Sequence, residues 1–302
     1  MVCGGPDLRR HQGLNPDWTV RFTHSSAIPQ GTTMTQAMEL KSFDTLEERV
    51  ASLERDGFAY FPGYLTDAEV QVLRQAMDDT AAMAEHFDRD TRAGENGAVF
   101  REKVINNAFN RNALFFSYLD RPGIIELEEA VHGDDCHVIG MTGWVTGPGR
   151  PTQTLHVDWM PVEVPEYVLQ DPNVRMPVFI TTCHFYLNDI YPELGPTQFI
   201  PGSHRSGRRP AQGEITWNGR GMQDCIVKAG DAVVFRCEVW HRGTPNTSDE
   251  TRYLLQVHYA QRMITQKFPP YLNRFQFDQE LLDQASPRQR RLLGDHVKSN
   301  YD

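Results

Sequence analysis

The chain has 302 residues and carries 40 Asp+Glu against 30 Lys+Arg, a formal net charge of −10. That acidic balance, with no basic surface to track a phosphate backbone, argues against nucleic acid as a partner. No apolar run approaches the ~20 residues of a membrane span. The N-terminus shows no signal-peptide apolar core, and the last residues, Ser299-Asn300-Tyr301-Asp302, do not form a peroxisomal address. The five cysteines, at 3, 136, 183, 225 and 237, form no close pairs. They read as free thiols in a reducing compartment, so a cytoplasmic protein is expected.

In chain order, residues 1–40 are polar and irregular and are expected to form a flexible extension. The segment 41–302 is expected to be a single domain. Thr45-Leu46-Glu47-Glu48 has the spacing of a capping box before a short helix ending near Gly57. Residues 58–61 then read as a strand. Thr66-Asp67-Ala68-Glu69 is a second capping box, opening a helix that carries Val70, Leu73, Ala76 and Met77 on one face. Residues 124–131 give another apolar helical stretch. From Val138 to about 262 the pattern changes to short strands punctuated by Gly and Pro, which suggests a double-sheet jelly roll of the cupin type. The fold class is therefore mainly β with flanking helices. The charged tail is expected to be helical around 278–293, covering the barrel or mediating self-association.

Two imidazoles and a carboxylate stand out within the strand-rich region. The run Gln153-Thr154-Leu155-His156-Val157-Asp158-Trp159 alternates like a strand, which would point His156 and Asp158 to one face. His241 follows the apolar run 232–235, and a turn-rich segment leads from it to Arg252 at the head of another strand. A strand, turn and returning strand would bring His241 near Arg252. Two His and one carboxylate are the ligand set of a mononuclear non-haem Fe(II) site with open positions. A guanidinium beside such a site can fork onto a carboxylate while staying charged.

Together with Ile200-Pro201-Gly202-Ser203-His204, Gly230-Asp231 and the run 54–63 (Glu-Arg-Asp-Gly-Phe-Ala-Tyr-Phe-Pro-Gly), these residues make the chain resemble the phytanoyl-CoA dioxygenase family of Fe(II)/2-oxoglutarate-dependent oxygenases. The resemblance covers about 45–262. It implies that His156, Asp158 and His241 bind Fe(II), and that Arg252 pairs with the distal carboxylate of 2-oxoglutarate. It implies co-substrate contacts for Gln153 and Thr197, and a further contact around Asn106 or Asn107. Leu194-Gly195 stands where members often read Asn-Gly. Related halogenases lack the carboxylate ligand, so Asp158 favours hydroxylation or a related C–H oxidation. The implied reaction uses O2 and oxidatively decarboxylates 2-oxoglutarate while oxidising a small organic molecule. The Gln153 match hints at secondary metabolism.

Other residues receive plainer readings. Gln256 and His258 share the parity of Arg252 and are expected to face the barrel interior. Trp144 and Trp159 are expected at its mouth or in its core. His204 reads as structural, and His184 is given no catalytic role. Residues 160–177 and the Arg-containing 203–224 are long insertions that could wall a substrate, although a solvated loop is the plainer reading of the latter. Two alternatives remain open in the sequence. One is a jelly-roll protein that binds a ligand without catalysis; the other is an Fe(II) oxygenase that does not use 2-oxoglutarate.

Overall fold

The structure is a computed structural model that describes residues 35–82, 102–171, 173–267 and 279–296. The expected extension lies mostly outside this range, as do Asp278 of the tail and Pro172 of the first insertion. Its described part, from Thr35, is not free chain: strand β1 (Gln36–Ala37) pairs in parallel with residues 223–224. Helix α1 (Leu46–Arg55) leads into β2 (Phe58–Phe61), and α2 (Asp67–Ala82) follows. Both expected capping boxes form. Thr45 Oγ1 accepts from the Glu48 N–H at 3.3 Å, and Glu48 accepts in return from the Thr45 N–H at 3.3 Å. Thr66 and Glu69 do the same at 3.3 and 2.9 Å. Each box satisfies N–H groups that the first helical turn leaves without partners.

Next come β3 (Glu102–Asn106), the helices α3 (Ala113–Phe116) and α4 (Ile124–His132), and the long β4 (His137–Thr146). A short helix α5 (Glu166–Leu169) interrupts the first insertion before β5 (Ile180–Tyr186) and β6 (Thr197–Phe199). A small hairpin, β7 (Thr216–Trp217) with β8 (Arg220–Gly221), precedes β9 (Gln223–Asp224), β10 (Ala232–Arg236), β11 (His241–Gly243) and β12 (Arg252–Ala260). The tail forms α6 (Gln279–Gln284) and α7 (Pro287–Leu292).

Two sheets result. One runs β2-β10-β5-β12-β4-β3, and the other β1-β9-β6-β11. Their facing surfaces make the jelly roll. The period-2 alternation of the larger sheet decides what lies where. Ala59 and Phe61, Cys183 and Phe185, Ala232 and Val234, and Tyr253, Leu255, Val257 and Tyr259 pack with Leu73 and Met77 of α2 and Ile125 of α4. The opposite parity, Phe58, Tyr186, Val233, Phe235 and Leu254, packs inward against Phe199, Cys225 and Leu194. The helices thus cover one face of the sheet, and the other face lines the barrel. The tail joins the helical layer, with Leu292 and Leu293 in that core and Arg291 on Glu129 at 2.7 Å.

Two family-like motifs prove to be structural ties. Asp231 of the Gly-Asp pair accepts from the Gly63 N–H at 2.7 Å, the Tyr60 hydroxyl at 2.7 Å and the Lys228 N–H at 2.8 Å. Gly230 sits at φ +93° against the Leu65 carbonyl, a position an L side chain would strain. In the Ile-Pro-Gly-Ser-His run, Ser203 Oγ accepts from the Trp240 N–H at 2.8 Å, and His204 Nε2 donates to the Glu54 carbonyl at 3.0 Å. The structural reading of His204 therefore agrees with its contacts. These bonds fix the chain immediately before His241.

Candidate metal centre

The segment 153–159 was expected to be a strand, but it forms only an isolated bridge. Its backbone is shared out along β11: Gln153 N–H donates to the Gly243 carbonyl at 2.9 Å, and His156 and His241 exchange both bonds at 2.9 Å. The Asp158 N–H donates instead to Cys237, at 3.1 Å, so the ladder breaks after His156. The parity argument nonetheless holds, and His156 and Asp158 project to one point.

There the three side chains meet. His156 Nε2 lies 3.7 Å from Asp158 Oδ1, and His241 Nε2 lies 3.6 Å from the same oxygen. The imidazole centroids are 4.5 Å apart. Each ring is held from behind: Nδ1 of His156 contacts the Thr154 carbonyl at 2.7 Å, and Nδ1 of His241 the Val239 carbonyl at 2.9 Å. A carbonyl can only accept, so each Nδ1 carries a proton, which leaves Nε2 as the atom that a neutral ring can offer to a ligand at the common point. Asp158 Oδ2 is buried with no hydrogen-bond partner. Burial pushes the Asp158 carboxyl up, but His241 and His156 together hold it well below the usual carboxylate range. A buried anion with an orphaned oxygen is costly unless a cation completes it. A divalent metal facing two Nε2 atoms and one carboxylate fits these residues, and the donor set is that of Fe(II) oxygenases.

The cavity around this point is lined by Trp144, Arg150, Gln153, Thr197, His184, Gly243, Arg252, Leu254 and Gln256 as well as the three convergent side chains. Arg252, Gln153 and Thr197, singled out in the sequence, are thus brought together with the His/Asp cluster. Arg252 sits at the head of β12, and its Nη1 donates to the Gly195 carbonyl. Gln153 Oε1 accepts from the Gly243 N–H at 2.7 Å, which orients the amide so that its NH2 is the end left to serve a ligand. Asn106 and Asn107 do not line the cavity.

Sequence reading missed several lining residues. His184 was given no role, yet it lies on the inward parity of β5 and accepts at Nε2 from the Gln256 amide at 3.2 Å. Gln256 in turn accepts from Trp144 Nε1 at 2.9 Å. Burial, with His241 nearby, pushes the His184 pKa down to about 3, so the ring is a neutral acceptor. The pairing of β5 with β12, His184 opposite Gln256, brings them together. Strand parity on β5 was a signal available in the sequence. Arg150 and Gly243 were also missed.

Three other expectations can be placed on the fold. Of the two places expected for Trp159 it takes the core, packing against Ile139, Ile180, Cys237 and Ala260, with Lys267 Nζ 5.6 Å from its ring centroid. His258 does face inward, but behind Asp158, where its Nδ1 meets Thr182 Oγ1 at 2.9 Å. The two insertions pair with each other, Val164 N–H to the Gly207 carbonyl at 3.0 Å and Trp217 Nε1 to Glu166 at 2.9 Å, and neither lines the cavity. Arg208 forks onto Glu214 at 2.7 and 2.8 Å and stacks on Trp240.

Comparison with known proteins agrees with this geometry. The chain is similar to dioxygenase FUM3 of Gibberella moniliformis (strain M3125 / FGSC 7600), 27% identical over 262 residues covering 77% of each chain. It is also similar to dioxygenase cdmA of Talaromyces verruculosus, 22% identical with 82% of each covered. Among solved structures it resembles the non-heme alpha ketoglutarate dependent epimerase SnoN from nogalamycin biosynthesis, with TM-score 0.57 and 19% identity over 72% of this chain and 83% of that one. HygX from Streptomyces hygroscopicus, solved with nickel and 2-oxoglutarate, gives TM-score 0.55 and 17% identity over 72% and 88%. At such identities the structural likeness supports the fold alone. The family model for phytanoyl-CoA dioxygenase matches residues 53–254, and that match spans His156, Asp158, His241 and Arg252: the chain belongs to the phytanoyl-CoA dioxygenase family of Fe(II)- and 2-oxoglutarate-dependent oxygenases.

Proposed function

We propose that residues 41–302 act as one catalytic unit in which His156, Asp158 and His241 hold Fe(II), while Arg252, Gln153 and Thr197 seat 2-oxoglutarate beside it. The observation that carries this reading is the convergence of two imidazole Nε2 atoms and a largely buried carboxylate whose second oxygen has no partner. When bound, the metal and co-substrate supply the O2-dependent oxidation of a substrate C–H bond.

The protein's own residues do the positioning. The Thr154 and Val239 carbonyls lock the imidazole tautomers, so neither ring must reorganise when a metal arrives. Arg252, 8% exposed, offers a permanent positive charge in a place where few waters compete for it. Trp144 and Leu254 narrow the cavity, and Trp144 is tied to Gln256. The substrate is a small organic molecule. A place in natural-product metabolism is supported by the fungal dioxygenase relatives and by SnoN and HygX, whose structures hold nogalamycin RO and hygromycin B. Four buried free cysteines, at 136, 183, 225 and 237, support the reducing, cytoplasmic setting. Among the described residues no helix is long and apolar enough to cross a membrane.

Anaerobic titration of Fe(II) into the protein with 2-oxoglutarate tests this reading. The visible charge-transfer band of the chelate should develop, vanish in His156→Ala and weaken in Arg252→Gln. Iron bound without the band would favour an oxygenase independent of 2-oxoglutarate; no iron binding would favour a ligand-binding jelly roll.

A further inference from the structure

The cavity holds a second guanidinium that the sequence motifs do not account for. Arg150 is 4% exposed and lines the same space as Arg252. Its backbone is fixed between two bonds to the turn after β11: the Asn246 N–H donates to the Arg150 carbonyl at 3.1 Å, and the neighbouring Gly149 N–H donates to Asn246 at 2.9 Å. The head group lies over Gly243, where a Cβ would overlap Arg150 Nη1 and come within 2.9 Å of Gln153 Oε1. Gly243 is thus the residue that lets a guanidinium and an amide pass side by side over β11.

This position is next to the one Arg252 occupies. Gly243 is the cross-strand partner of Thr197. Arg252 Nη1 reaches the Gly195 carbonyl, two residues before Thr197, and Gly195 itself packs on the Thr244 and Pro245 carbonyls. Both guanidiniums therefore line one cavity at the Thr197–Gly243 end of the β6–β11 pair. The arginine and acidic residues of the lining are Arg150, Arg252 and Asp158, a balance of +1 before any metal is added. Such a site favours a dianion.

The geometry points to Arg150 as a second positioning residue for the distal carboxylate of 2-oxoglutarate, gripping it together with Arg252. This rests on the 2-oxoglutarate reading above. Two charged donors on one carboxylate divide its four lone-pair sites between them, an arrangement stronger and more selective than one fork alone.

The test compares two ligands that chelate the metal identically and differ only at the far end: 2-oxoglutarate and 2-oxovalerate, which lacks the distal carboxylate. Each is titrated anaerobically into Fe(II)-loaded wild-type, Arg150→Gln and Arg150→Lys protein, following the visible band of the chelate. Arg150→Gln should weaken 2-oxoglutarate by about tenfold or more while leaving 2-oxovalerate within twofold, and Arg150→Lys should recover part of the loss. Gly243→Ala, which leaves the arginine in place but crowds its head group, should reproduce the selective loss. Equal weakening of both ligands would mean that Arg150 only supports the fold, and unchanged binding of both would mean that it does not meet the co-substrate. Either result overturns the proposal. Absence of 2-oxoglutarate binding to the wild type would instead overturn the reading on which it rests.

Discussion

At the residue scale, the site is set by which atoms are already occupied. Backbone carbonyls take Nδ1 of both imidazoles, so the ligand atoms are chosen before any metal is present. Asp158 is compensated only in part by the protein, since Oδ2 has no partner and Oδ1 faces both Nε2 atoms at 3.6–3.7 Å. Asp158→Ala should therefore remove metal binding and turnover together. It should not unfold the barrel, because it deletes a buried anion rather than a packing group. Metal content after dialysis and the thermal midpoint of the metal-free protein check this. Retained iron, or a collapse of the apo midpoint, would count against it. The ligand pair was readable from the sequence because i and i+2 on extended chain share a face whatever the fold does next. Arg150 was not, because its place depends on the turn after β11, and for His184 the inward parity was legible but the Gln256 opposite it was not.

At the element scale, local signals fared best where the interaction is local. Both capping boxes and the strand at 58–61 needed only neighbours within a few residues. The edge strands β1 and β3 were not foreseen, since a few residues of weak alternation become strands only through distant partners, Gln36 with Gln223 and Val104 with Trp144, a contact no local pattern encodes. The strand expected over 153–159 dissolved for a similar reason, its Asp158 N–H being diverted to Cys237. The Gly-Asp pair shows how a short motif can be structural. Asp231 joins the entrance of β10 to the turn after β2, and Asp231→Ala would leave the Gly63 and Lys228 N–H groups and the Tyr60 hydroxyl without acceptors. The expected cost is about 2–4 kcal/mol, read as a lower denaturant midpoint, with the Fe(II) dissociation constant unchanged. Loss of iron binding at unchanged stability would show that Asp231 belongs to the site instead.

At the scale of the whole molecule, the barrel buries imidazoles that must stay neutral, and this sets its response to acid. His204 is 5% exposed. It packs against Gly57 and bonds the Glu54 carbonyl. Burial, then the nearby Arg236 and Arg205 charges, push its pKa from 6.5 down to about 3. Between those two values the unfolded chain binds a proton that the folded chain refuses, so stability present above pH 6.5 is lost as pH falls towards 3. The slope is about 1.4 kcal/mol per pH unit for this one group, or about 2 kcal/mol by pH 5. His204→Gln keeps an amide donor for the Glu54 carbonyl and removes the titration. Urea unfolding of the metal-free protein at pH 7.5 and pH 5 should therefore show a smaller acid loss in His204→Gln than in wild type, by about 2 kcal/mol. The same loss in both proteins would mean that the folded state accommodates a protonated His204, and that the tie between α1 and the Ile-Pro-Gly-Ser-His turn survives a charge at its centre.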